Sequence, residues 1–322
     1  MQRRNLLLAV ALAAATAGAA AQSDYPTKPI RLIVPFAPGG TTDLIARVIA
    51  EPLGKQLGQV VIVENKGGAG GAIGAIEAAR AAPDGYVISV ATVSTTAANP
   101  AINPKVGYDP VNDFVPVINI AATPNVITVN PNFPAKDYKS MVQVLKQNQG
   151  KYSYASMGTG SIGHLQMEMW KSSLGLFITH IPYRGSGPAL VDVVAGHVPI
   201  SVDQLPSSLP NIKAGKLIPM VVAAPTRLAD IPGVPTFKEV GMESVNRMAY
   251  YGILAPKGTP KEIVDKLNAA TLKALENPAV RKRIEETGSI IVGNTPAEFA
   301  KQIKDELAAY KAVVAKQHLT LE

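Results

Sequence analysis

The run Ile33-Val34-Pro35-Phe36-Ala37-Pro38-Gly39-Gly40-Thr41-Thr42-Asp43 decides the fold, because an apolar strand stops in it and a helical pattern begins at once. Ile30, Leu32, Ile33 and Val34 read as a short strand, Pro35 and Pro38 end it, and Gly39-Gly40 release the backbone from the limits of a Cβ. Thr41 or Thr42 is expected to supply an N-cap hydroxyl, and Leu44, Ile45, Val48, Ile49 and Leu53 share one helical face. A helix N-terminus flanked by bare glycine amides carries unpaired N–H donors and roughly half a unit of positive charge, which suits an anion. A Pro-Gly-Gly can equally be a tight βα connection that binds nothing, and this run alone does not choose between the two.

Working outward, a strand is expected at 60–63, then the glycine-rich run Asn65-Lys66-Gly67-Gly68-Ala69-Gly70-Gly71, then a helix through Ile73, Ile76 and Ala79. Pro83-Asp84-Gly85 turns the chain into a strand at 86–91. The alternation is βαβαβ and implies a parallel sheet with helices on both faces. Ligands of such sheets lie beyond the carboxyl ends of the strands, which would bring 35–42 together with the hydroxyl-rich 92–96, including Thr92 and Ser94. From 114 to 129 the pattern becomes β-rich and is broken at Pro124-Asn125, a passage out of the first domain. A second α/β series follows, with helices at 137–148, 162–174 and 188–194 and strands at 152–155, 177–182, 199–202 and 220–224. A strand at 250–255 and helices at 260–275, 278–287 and 296–315 complete the chain. Phe299, Ile303, Leu307, Tyr310 and Val314 form one face of the last helix, expected to pack back on the first domain.

The start of the chain reads as an export signal. Arg3 and Arg4 precede an apolar core from Leu6 to about Ala15, and Ala19-Ala20-Ala21 offers an A-x-A cleavage site, so residues 1–21 are expected to be removed. The apolar run is too short for a membrane span. The paired arginines admit a twin-arginine reading, but the rest of that signal is missing and ordinary secretion is the expectation. The formal charge is +7, and removing Arg3 and Arg4 with the leader leaves 29 basic against 24 acidic residues, or +5. With no basic run and 5% aromatic residues, nucleic acid is not an expected partner, whereas mild basicity suits acidic small molecules. Cysteine is absent, which excludes disulfides, thiol catalysis and cysteine metal sites.

A second glycine turn repeats the logic of the first: Tyr154-Ala155-Ser156-Met157-Gly158-Thr159-Gly160-Ser161-Ile162-Gly163-His164. Gly158, Gly160 and Gly163 satisfy G-x-G-x-x-G, but Tyr183 and Arg184 stand where a dinucleotide site wants an acidic ribose partner, so no cofactor is expected. Ser94, Ser161, His164 and Asp203 supply the residue types of a serine hydrolase, yet no G-x-S-x-G surrounds either serine. His164 as a metal ligand finds only His180, His197 and His318 and no H-x-x-x-H spacing, so no metal is expected. Arg184 in His180-Ile181-Pro182-Tyr183-Arg184-Gly185-Ser186-Gly187 could pair with a ligand carboxylate or face solvent. Asp203 could receive an ammonium or hydroxyl, or cap the next helix through Ser207 or Ser208. Tyr250-Tyr251 could wall a cleft or belong to the core.

Taken together these stretches resemble the periplasmic solute-binding receptors of tripartite tricarboxylate transporters, the TctC or Bug family. The likeness rests on 35–43, on Glu64 with the glycine run to Gly71, on Pro83-Asp84-Gly85-Tyr86, on 158–164, on 180–187, on Asp203 and on Ala255-Pro256-Lys257-Gly258-Thr259-Pro260. It implies two α/β domains of the periplasmic binding protein fold, type II-like and Venus-flytrap in character, joined by two crossover strands. Residues 22–124 with 248–322 would form the first domain and 125–247 the second. Family behaviour places one ligand carboxylate against the loop Phe36, Pro38, Gly39, Gly40, Thr41, Thr42 and the turn Ser156, Gly158, Thr159, Gly160, Ser161. Thr92, Ser94, His164, Arg184, Gly185, Asp203 and Tyr251 would complete the pocket. The resemblance further implies a monomeric, non-enzymatic receptor that delivers a small carboxylate (a dicarboxylate, acidic amino acid or aromatic acid) to membrane subunits of the TctA and TctB kind. Two departures stand out: Lys66-Gly67 where arginine and proline are frequent, and Tyr250 where tryptophan is common, which bears on pocket size. The alternatives are a secreted hydrolase using Ser161 or Ser94 with His164, and a ligand sensor for a signalling kinase.

Overall fold

A computed structural model describes residues 25–321, so the expected leader lies outside the described residues. In chain order the elements are β1 (Ile30–Val34), α1 (Thr41–Leu57), β2 (Val61–Asn65), α2 (Ala72–Ala79), β3 (Val87–Thr92), α3 (Asn99–Ile102) and β4 (Phe114–Thr123). Then follow β5 (Asn125–Val129), α4 (Tyr138–Gln147), β6 (Ser153–Ser156), α5 (Ile162–Leu174), β7 (Thr179–Pro182), α6 (Ser186–Ala195), β8 (Ile200–Gln204), α7 (Leu205–Lys213) and β9 (Ile218–Ala223). The chain ends with β10 (Ala249–Pro256), α8 (Lys261–Leu275), α9 (Pro278–Glu285), β11 (Ile290–Ile291) and α10 (Pro296–Gln317).

Two sheets organise the molecule, in the orders β11-β4-β10-β3-β1-β2 and β7-β6-β8-β5-β9. The parallel pairing expected of the βαβαβ run is observed, β1 lying parallel to β2 and β3, and β10 joins the sheet antiparallel to both β3 and β4. In the second sheet β6 is parallel to β7 and β8, while β5 is antiparallel to β8 and β9. The reason is the connectivity. The chain leaves the first sheet after Thr123, enters the second at Asn125 with only Pro124 between, and returns along β10, so the crossing strands oppose the βαβ units they join. Both crossings are tied together. Asn125 Nδ2 donates to the Arg247 carbonyl at 2.9 Å, and Asn246 exchanges two hydrogen bonds with the Ala224 backbone at 3.1 and 2.9 Å.

Each lobe has its own core. Ile30, Leu32, Ile33 and Val34 are buried on both faces of the first sheet, as a central parallel strand requires, with Ile45, Val48, Ile49 and Leu53 of α1 packed over them. The second core gathers Tyr154, Met141, Met167, Met169, Trp170 and Phe237. Phe299, Ile303 and Tyr310 of α10 insert into the first core as its periodicity predicts, while Val313 and Leu319 beyond them touch the second. One helix therefore spans the two crossings.

Thr295 sets where that helix begins. Its hydroxyl accepts the Glu298 amide at 3.3 Å, and the Glu298 carboxylate accepts the Thr295 amide at 2.9 Å, a reciprocal capping box. Thr295→Ala is expected to cost about 1 kcal/mol, read as a lower urea midpoint at unchanged slope, with Thr295→Ser restoring most of it.

Candidate functional site

The loops that leave the carboxyl ends of the strands in both sheets meet along one seam. From the first lobe comes 36–42. Phe36 is buried and its carbonyl accepts Asn65 Nδ2 at 3.0 Å, while Gly39 takes the left-handed conformation and gives its amide to Asp43 at 3.1 Å. The helix N-cap is Gly40, not a threonine: Thr41 is already helical, and no side chain caps the first turn. That correction has a chemical reason, because Thr41 turns its hydroxyl across the seam to Ser207 Oγ at 3.0 Å. Asp43 stands in the same turn. Burial would raise its pKa, but hydrogen bonds from Arg47 and Asn65 outweigh burial and hold it below its ordinary value. Arg47 balances the Asp43 charge at 3.0 Å. The α1 terminus thus keeps its own positive end.

Facing it is the start of α6, whose N-cap is Gly185 and which again has no side-chain cap. The two uncapped helix ends approach closely. The Ala37 amide donates to the Arg184 carbonyl at 3.0 Å, and a Cβ built on Gly40 would lie 3.0 Å from Ser186 Cβ. The Arg184 side chain is exposed, so this residue engages the opposite lobe through its carbonyl. Pro38 presents its carbonyl to Gly187, where a Cβ would come within 2.2 Å of the oxygen.

The turn 156–161 behaves differently from the first, because its amides are already engaged. Gly158 N–H donates to Ser156 Oγ at 3.1 Å, Gly160 N–H to His164 Nδ1 at 3.1 Å, and Ser161 N–H to the Gly158 carbonyl at 3.0 Å. Ile162 N–H reaches across the seam to Ser94 Oγ at 3.0 Å, and Ser161 Oγ caps α5 by accepting His164 N–H at 3.3 Å. Thr159 meets the first lobe through its carbonyl, which would lie 2.4 Å from a Cβ on Gly70.

Beneath this turn His164 and His180 stack at 4.1 Å and 11°, and Tyr154 continues the stack on His180 at 4.9 Å. Since Nδ1 of His164 accepts a hydrogen bond, its proton sits on Nε2, 3.9 Å from Glu168. Burial is the main cause that lowers His164 to about 4, and it lowers His180 to about 3 with help from its neighbour. Both are neutral imidazoles at neutral pH. His180 Nε2 lies 2.6 Å from Ser156 Oγ.

Asp203, at the end of β8, is 3% exposed and has hydroxyls for partners. Its Oδ1 accepts Ser186 Oγ at 2.5 Å, and Oδ2 accepts Ser207 Oγ at 2.5 Å and Ser208 Oγ at 3.1 Å. Burial raises its pKa and these hydroxyls pull it back. The following helix has Gln204 as its N-cap and no side-chain cap, so Asp203 does not cap it and instead receives hydroxyls, those of Ser186, Ser207 and Ser208. Tyr251 is 2% exposed; burial and then the nearby Asp203 charge push its phenol well above the ordinary value. Tyr250 points to the other face of β10, where its hydroxyl meets Thr96 at 2.5 Å and its ring packs edge-on to Phe299 at 5.5 Å. Tyr250 is therefore core, and Tyr251 stands beside the seam. Thr92 is tied to Thr95 and Thr96.

Periodicity and turn chemistry do not reveal Asn99, which carries the Ala69 carbonyl on Nδ2 at 2.7 Å and meets Gly160 from the other lobe. The glycine run at 67–71 was the available signal: Gly67 and Gly70 would each drive a Cβ into backbone of the second lobe. The hydrolase arrangement is not assembled, since His164 Nδ1 serves Gly160 and Nε2 faces Glu168 while Ser94 and Ser161 each accept a backbone amide. Among the described residues no group of His, Asp and Glu could hold a metal ion. Nor is any described helix long and apolar enough to cross a membrane.

The model of the tripartite tricarboxylate transporter family receptor, TctC, matches residues 45–319. Protein BugT of Bordetella pertussis is 35% identical over 318 residues, 98% of this chain and 98% of its own. A solved structure described as a periplasmic transporter is 54% identical, with a TM-score of 0.91 over 92% of this chain and 100% of that one. MatC from Rhodopseudomonas palustris with bound malate is 34% identical (TM-score 0.87, covering 90% and 100%), and a second R. palustris protein with adipate is 33% identical (0.88, 92% and 99%). These relatives are solute-binding proteins and not enzymes, and with them the two-lobed fold takes its place. By the extent of these matches, the chain belongs to the TctC/Bug family of periplasmic solute-binding proteins.

Proposed function

We propose that this receptor captures a small carboxylate in the seam between its lobes and delivers it to membrane subunits of the TctA and TctB kind. The first lobe comprises 22–124 with 248–322 and the second 125–247, and residues 1–21 direct export to the periplasm, where the protein works as a monomer. The observation that carries the reading is the α1 terminus, a glycine-capped helix end buried at the lobe junction with no side-chain cap, whose one acidic neighbour, Asp43, takes the Gly39 amide and is balanced by Arg47. Such an end holds an anion through backbone amides without a fixed counter-cation, so the site tolerates hydration before the ligand arrives. Phe36, Pro38, Gly39, Gly40, Thr41 and Thr42 hold one carboxylate. Ser94, Thr92, the turn 156–161 with His164, Gly185, Arg184 at the rim, Asp203 and Tyr251 shape the remainder. The malate and adipate complexes of relatives support a dicarboxylate first, ahead of acidic amino acids and aromatic acids.

A thermal-shift screen of the mature chain against carboxylic acids, followed by calorimetry, tests this. A ligand at a hundred times its dissociation constant adds about 2.7 kcal/mol, an upward shift of a few degrees. The expected result is a dicarboxylate hit recovered chemically unchanged. A broad panel without a shift removes the proposal.

A further inference from the structure

Four hydroxyls and one carboxylate meet where the lobes touch, and their proton directions are determined by the carboxylate. A carboxylate only accepts, so Ser186 and Ser207 must donate their single hydroxyl protons to Asp203, each at 2.5 Å. Ser207 has a second acceptor in the Gln204 carbonyl at 3.0 Å, but the nearer, charged oxygen takes the proton. Its Oγ is then left with lone pairs only. Thr41 Oγ1 of the first lobe donates to that Oγ at 3.0 Å, and the Ser207 amide donates back to Thr41 Oγ1 at 3.2 Å. The result is a reciprocal pair across the seam, extended by one hydroxyl to a carboxylate that is 3% exposed. Residues 41 and 207 lie 166 positions apart, one in each lobe, so the pair exists only when the lobes are closed.

We infer that Asp203 is a positioning residue for lobe closure: it orients the Ser207 hydroxyl to receive Thr41, and the Thr41–Ser207 pair latches the closed state and slows release of the ligand. This rests on the seam being the ligand cleft. Asp203 acts through Ser207 and needs no contact with the ligand itself. The serine hydroxyls already supply its partners, which allows a charge to stay buried at the seam without a cation.

The test uses Thr41→Val, which keeps the shape and β-branching of the side chain while removing both bonds, with Thr41→Ser as the conservative rescue. Small-angle scattering of the unliganded mature chain reads closure directly. Thr41→Val is expected to show a larger radius of gyration than wild type, and Thr41→Ser to match wild type. With malate or adipate as the probe, stopped-flow release is expected to be about tenfold faster in Thr41→Val, as for the loss of one paired set of neutral hydrogen bonds. Ser207→Ala keeps the amide bond to Thr41 and should give part of the effect, and the double variant should be no worse than Thr41→Val alone, because the two groups form one interaction. Asp203→Asn, whose amide donates where the carboxylate accepted, should behave like Thr41→Val; if it fails to fold, the Thr41 series carries the test. Identical scattering for wild type, Thr41→Val and Thr41→Ser overturns the latch, as does full additivity in the double variant. Should wild type bind no acid while Thr41→Val still expands, the carboxylate proposal fails and the latch stands.

Discussion

Replacing Gly187 by alanine is expected to weaken carboxylate binding by about a hundredfold or more while leaving the unliganded protein's stability within about 1 kcal/mol of wild type. A Cβ at this position falls 2.2 Å from the Pro38 carbonyl oxygen, and 3.4 Å from Gly39 Cα. Both are backbone atoms of the opposite lobe, so no rotamer change relieves the overlap; the lobes must stay apart, at roughly 3 kcal/mol or more. That energy is charged to the closed state only, and it converts to about two decades of affinity. Within the second lobe two small effects oppose each other: alanine favours a helix over glycine by about 1 kcal/mol, whereas the residue before Pro188 resists helical geometry. Calorimetry with the acid that wild type binds, beside thermal melts without it, separates the terms. Gly233→Ala is the control, since a Cβ there meets nothing within 4 Å. Equal affinity in Gly187→Ala and Gly233→Ala would mean that the seam does not close on the ligand.

The second large effect is a loss of stability in mild acid. His164 and His180 have folded pKa values of about 4 and about 3, against 6.5 for a free imidazole, and burial is the leading cause in both. The unfolded chain therefore takes up protons that the folded chain refuses. Stability is complete above pH 6.5 and falls as the pH drops, by about 1.4 kcal/mol per pH unit for each histidine, until that histidine's own folded value is reached. Asp203 works in the opposite direction, because its raised pKa favours proton uptake on folding and returns part of the loss. Urea denaturation between pH 7 and pH 4.5 measures the slope. His164→Asn places an amide oxygen where Nδ1 accepts Gly160 and removes one titrating group, so its slope should be shallower by about one proton. A slope equal to wild type would mean that His164 does not titrate between the two states. The stack underlies the turn 156–161, so acid should also loosen that turn before the molecule unfolds as a whole.

Much of this was legible along the chain. The strand-glycine-helix units at 33–43 and 154–164 announced themselves through apolar runs, turn residues and helical spacing, and α5 and the apolar face of α10 lie where periodicity placed them. The resemblance to the receptor family rested in part on the same stretches, where the backbone turns at the seam. The N-cap of α1 was misplaced by one residue. Thr41 has the chemistry of a cap, but its hydroxyl found a partner in the other lobe, and no local rule includes that competitor. The parallel pairing inferred from the alternating βαβ units holds for β1, β2 and β3, whereas the antiparallel β10 follows only from where the chain returns after its excursion.

By itself, then, the sequence determined the strand-turn-helix units that set the class of fold and the two glycine turns, since these depend on residue types within about ten positions of one another, and by composition alone the absence of cysteine chemistry and the mild basicity. Tertiary structure alone decided which donors stay at the seam. It committed the amides of 158, 160, 161 and 162 to Ser156, His164, Gly158 and Ser94, and left the α1 terminus uncapped. It also joined Thr41 to Ser207 across 166 residues and buried Asp203 among three serines. The physical reason is that a hydroxyl or amide pairs with whatever lies within about 3 Å when the lobes close, and that neighbour is set by the packing of two cores rather than by distance along the chain.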